Sequence, residues 1–120
     1  DTFTPNDGDD ADTGANNLQN FPVFATVSKN GNSLNLTYKV PSSNTNSTYP
    51  IRVEFFLSDG SGEGKPFLGV DTYNTPNADK TISFSPTATV NIGDKIVATA
   101  TDNNGNTSEF SAEFTVAIPD

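Results

Sequence analysis

The chain is expected to fold as an all-β antiparallel sandwich of about seven strands. Three observations predict this: apolar residues alternate with polar ones from Phe21 onward, turn-forming clusters interrupt the alternation, and no window carries helical apolar spacing. In chain order, Phe21, Val23, Ala25 and Val27 share a face, followed by Leu34, Leu36, Tyr38 and Val40, then Ile51, Val53, Phe55 and Leu57. Leu68 with Val70, Ile82 with Phe84, and Ile96 with Ala98 and Ala100 continue the series. The last run is the longest and puts Phe110, Ala112, Phe114, Val116 and Ile118 on one side. Between the runs lie Asn30-Gly31, Pro41 to Pro50, Asp59 to Gly64, Asn74 to Asp79, Thr87 to Gly93 and Asp102 to Gly105, all rich in residues that turns require. Short strands with turns every ~8 to 12 residues fit an immunoglobulin-like sandwich better than a barrel.

At 120 residues the chain accommodates one domain, read as an acidic N-terminal arm or linker over 1–20 and a sandwich over 21–120. Strand direction alternates in such a fold, so its loops sort to two poles. The arm, Pro41 to Pro50, Asn74 to Asp79 and Asp102 to Gly105 belong to one pole. Asn30-Gly31, Asp59 to Gly64, Thr87 to Gly93 and the C-terminus belong to the other.

The formal net charge of -9 argues against nucleic acid or an anionic membrane as a partner. No apolar run reaches the ~20 residues that a membrane-spanning helix needs. Cysteine and histidine are both absent, which removes disulfides, thiolate metal sites and the commonest general base. No serine can have a histidine partner, and Asp59 with Glu63 sit on a Gly-rich loop without an apolar pocket, so a non-catalytic protein is expected. The start at Asp1 and the lack of methionine suggest a piece cut from a longer polypeptide.

Asp7, Asp9, Asp10 and Asp12 alternate with Gly8 and Gly14 in the arm, a carboxylate-rich pattern of the kind that Ca²⁺ selects. It is not an EF-hand, because the glutamate at the twelfth position and the flanking helices are missing. The bland reading is a solvated acidic linker. Asp102, Asn104 and Asn106 surround Gly105 near the same predicted pole, either as further oxygen ligands or simply as turn formers. Phe24, Phe56, Phe67, Tyr49 and Tyr73 fall off the main apolar faces, where aromatic rings stack on sugars or pack at an edge. Arg52, Glu54 and Phe56 alternate on an outer face and form a candidate contact surface.

The segments TPNDGDDADTGANNLQNFPV, IRVEFFLSDGSGEGKPFLG and GDKIVATATDNNGNTSEFSAEF resemble, in order, an immunoglobulin-like module of large bacterial secreted and surface proteins, one that often follows a right-handed parallel β-helix region. The stretch ATATDNNGNTSEFS is also similar to adhesin repeats in which Ca²⁺ rigidifies domain junctions. What the resemblance implies is an extracellular accessory domain acting as spacer or junction, with Asp102 and the arm's aspartates as candidate ligands and neighbouring domains, or a surface glycan or protein, as partners. The alternative is a carbohydrate-binding module using Tyr49, Tyr73 or Phe56.

Overall fold

The computed structural model describes residues 20–41, 48–58 and 64–118. Among them lie seven strands and no helix: β1 (Val23–Asn30), β2 (Ser33–Lys39), β3 (Ile51–Ser58), β4 (Gly64–Tyr73), β5 (Lys80–Phe84), β6 (Lys95–Thr101) and β7 (Phe114–Thr115). They form two antiparallel sheets, ordered β1-β2-β5 and β4-β3-β6-β7. This is the expected immunoglobulin-like sandwich, with β4 on the edge beside β3.

The core lies between the sheets. Leu34, Leu36 and Tyr38 of β2, with Ile51, Val53 and Phe55 of β3, are all buried, as the period-two pattern requires. Phe55 sits at the centre, its ring centroid 5.6 Å from those of both Tyr38 and Phe84 and 6.2 Å from that of Phe24. Such rings remove large apolar areas from water, at roughly 25 cal/mol per Å². Phe84 also packs close to the backbone of β4: a Cβ built on Gly69 would stand 2.6 Å from its Cε2, so any larger residue there would force the ring to move.

Three of the expected faces are overturned, two of them by bulges. In β1 the register jumps between Phe24 and Thr26, so Phe24 and Val27 point inward while Val23 and Ala25 face solvent. A shift in β4 pairs Phe55 with Gly69 and Phe56 with Phe67. The extra residue, Leu68, turns inward; Val70 turns out, 55% exposed, and Tyr73 enters the core. One added residue reverses the side-chain parity that alternation assumes. The last apolar run is not one long strand either. Ser111 and Ser108 take the amides of Ala98 and Ala100 on their hydroxyls, at 3.0 and 2.9 Å, and only Phe114–Thr115 is a regular strand. Phe110 instead packs edge-on against Phe56 outside the sheet, Ala112 is exposed, and Ile118 is 72% exposed.

The described loops sort to poles as expected; the arm before Asn20 and most of the Asp59 to Gly64 loop lie outside the described residues. Asn103 N donates to Thr48 O at 2.8 Å, joining the turn after β6 to the connection before β3. Asn20 Nδ2 donates to Pro41 O at 2.8 Å at the same pole. At the opposite pole the chain's end crosses between the sheets: Val116 exchanges backbone bonds with Gly93 and Asp94, and Ala117 does so with Val27 and Lys29.

Candidate functional site

The turn after β6 is organised by one carboxylate. Asp102, 6% exposed, accepts the backbone N–H groups of Asn104 and Asn106 on Oδ1, at 2.9 and 3.0 Å, and the side-chain amide of Asn106 on Oδ2 at 3.1 Å. Its backbone completes the loop, donating to Asn106 O and accepting from Gly105 N, both at 3.0 Å. Gly105 has φ 87°, which a side chain would strain. An aspartate at this position therefore satisfies N–H groups that the turn would leave without partners. Asn104 then reaches out, its Nδ2 donating to Thr48 Oγ1 at 2.8 Å.

Of the predicted ligands, the structure brings together Asp102, Asn104 and Asn106. Asp7, Asp9, Asp10 and Asp12 lie outside the described residues, as do Asp59 and Glu63. Ca²⁺ takes 6–8 oxygens, and this turn offers one carboxylate, already accepting three N–H groups, and two amide oxygens. Among the described residues, no three acidic side chains stand close enough together to hold an ion. By itself this donor set falls short of the oxygens that Ca²⁺ requires.

A second carboxylate escaped the sequence reading. Asp71 of β4, placed inward by the β4 bulge, accepts from Tyr38 Oη at 2.6 Å and pairs with Lys80 Nζ at 3.0 Å; Lys80 also donates to Thr72 O. It lies on the lone Asp between Val70 and Thr72, and nothing local in the sequence marks it as inward-facing. Burial first, then the hydrogen bond to the Asp71 carboxylate, pushes the Tyr38 phenol far above its ordinary range. Tyr73 is raised as well, chiefly by burial; its hydroxyl donates to Ala78 O at 2.5 Å. At 1% exposure Tyr73 belongs to the core, which removes it from the expected sugar platform. Tyr49 packs partly buried against that core, and Phe24 is inside.

Phe56 and Phe67 do face outward. Phe56 meets Phe67 and Phe110 edge-on, with centroids 5.9 and 5.6 Å away, in a small cluster over the buried Val97. Neither protein-family models nor curated proteins give a match to the chain.

Proposed function

We propose that the chain is a non-catalytic, extracellular immunoglobulin-like module that serves as a spacer or junction in a bacterial adhesin or other surface protein, braced by Ca²⁺ at the Asp102 pole. The observation that carries this reading is the placement of the ends of the described chain. Asn20 is buried and tied to Pro41 at the pole of the Asp102 turn, whereas Ala117 pairs with Val27 and Lys29 and leads to Ile118 at the opposite pole. Domains joined at those points string end to end. The acidic arm leads directly into Asn20, so Asp7, Asp9, Asp10 and Asp12 are within chain reach of Asp102, Asn104 and Asn106. An ion there would offset repulsion among the carboxylates and stiffen the joint.

Amide NMR during a Ca²⁺ titration tests the site. Saturable shifts at Asn104 and Asn106, lost in an Asp10→Ala, Asp12→Ala variant and not reproduced by Mg²⁺, are expected. A spectrum unmoved by millimolar Ca²⁺ contradicts the metal brace and leaves a passive spacer.

A further inference from the structure

The two outer faces of the sandwich are built from different chemistry. On the three-stranded sheet, the registered rows are Thr26–Thr37–Thr81 and Ser28–Asn35–Ser83, short hydroxyl and amide side chains throughout. On the four-stranded sheet, the row nearest the Asp102 turn is Thr72–Arg52–Thr101, continued by Thr107 through a hydroxyl contact of 2.9 Å. Arg52 is the only arginine in a chain of net charge -9, and its side chain is 62% exposed. Its ion-pair neighbour, Glu54 Oε1, stands 3.9 Å away, beyond hydrogen-bond range. A groove of about 520 Å³ opens here, lined among others by Arg52, Val70, Thr72, Thr101, Asn103 and Asp102, whose carboxylate accepts three N–H groups of its own turn. That volume lies within the range of small-ligand sites, and exposed Val70 supplies an apolar wall among polar groups.

We propose that this groove binds a polyhydroxylated carboxylate, with Arg52 as the carboxylate anchor. A guanidinium presents parallel N–H donors that match the two oxygens of a carboxylate. Thr72, Thr101 and Asn103, lining the same groove, exchange hydrogen bonds with hydroxyl groups in either direction. A phosphate dianion fits less well, since no second cation lines the groove. An added peptide strand is disfavoured because the outward carbonyls of β4 at Phe67, Leu68 and Thr72 already accept from Thr87 and Lys80. Asp102 borders the groove, but its carboxylate is taken up by the N–H groups of its own turn and the anchor is Arg52, so binding measured in EDTA is distinguishable from the calcium brace. The ligand chemistry has two sources: a uronic-acid unit within a glycan, or a free sugar acid.

The test is an amide and Arg Nε NMR titration of the full chain in EDTA at low ionic strength. The probes are methyl glucuronoside, gluconate, methyl glucoside and acetate. Shifts centred on Arg52, Thr72, Thr101 and Asn103 are expected with at least one of the first two, at least tenfold weaker in Arg52→Gln and unchanged in Thr37→Ala on the opposite face. Binding of the glucuronoside points to a glycan unit; binding of gluconate alone points to a free acid. Methyl glucoside should bind far more weakly for want of the charge, and acetate for want of the hydroxyls. A Thr72→Val, Thr101→Val variant should weaken the sugar acids while leaving acetate unchanged. The proposal is overturned if neither sugar acid binds, if acetate matches them, or if Arg52→Gln, with the rest of its spectrum native, binds as tightly as the parent.

Discussion

The two poles of the sandwich are closed by different means. At the C-terminal pole the joining bonds run backbone to backbone, from Val116 and Ala117 to Gly93, Asp94, Val27 and Lys29. Almost any sequence that places the strands could make them. At the Asp102 pole a backbone bond, Asn103 N to Thr48 O, is joined by several that depend on particular side chains: Asp102 to its own turn, Asn104 to Thr48, Asn20 to Pro41, and Tyr73 to Ala78. Fixed loops, each held by a named residue, are what a joint with a neighbour requires. The comparison therefore puts the expected sensitivity to substitution at one end, the end that the proposed joint would use.

High pH should break the comparison most severely, because Tyr38 and Tyr73 lie beneath the side-chain-built pole. Both phenols are raised in the folded state, so above the unfolded value near ~10 the native chain holds protons that the unfolded chain releases. Their stabilisation is complete below about pH 10 and is lost as pH rises further, by up to ~1.4 kcal/mol per pH unit for each group. Ultraviolet titration should show these two phenolates appearing together with loss of tertiary structure. A smooth titration in a chain that stays folded would contradict the buried network.

Next in size is Asp102→Ala, which leaves Asn104 and Asn106 N–H groups without their acceptor and should cost about 2–3 kcal/mol in urea unfolding. Asn20→Ala and Tyr73→Phe each remove a bond from a buried side chain and should cost about 1 kcal/mol. At the other pole, Gly31→Ala should cost about 1 kcal/mol, through backbone strain at φ 63° and not through any clash, since a Cβ there meets nothing within 4 Å. Asn32→Ala in the same hairpin should fall within about 0.5 kcal/mol of the parent. If the hairpin substitutions matched Asp102→Ala, the distinction between the poles would fail.

Much of this was legible in the residues. Regular alternation in β2 and β3 fixes which side chains fill the core, and the Asp-Asn-Asn-Gly-Asn turn announces itself by composition. Pole assignment follows from strand alternation alone. What could not be read were features set by a partner strand. The bulges at Ala25 and Leu68 exist only relative to β2 and β3, so alternation puts Phe24 and Tyr73 on the wrong side and leaves Asp71 unmarked. Ser108 and Ser111 look like ordinary polar residues until Ala100 and Ala98 stand opposite them. Thr48 is invisible as a partner of Asn104 because 56 residues separate them. The outward Arg52 face was foreseen from alternation in β3, but its groove requires the turn at Asp102 beside it.

The most direct test of the braced joint is thermal unfolding in excess EDTA against millimolar CaCl₂ at matched ionic strength. Ca²⁺ at ~100 times its dissociation constant should add about 2.7 kcal/mol and raise the midpoint by several degrees, with the gain lost in the Asp10→Ala, Asp12→Ala variant. Identical midpoints in EDTA and Ca²⁺ would contradict the account, reducing the acidic arm to a linker and the Asp102 turn to a structural staple.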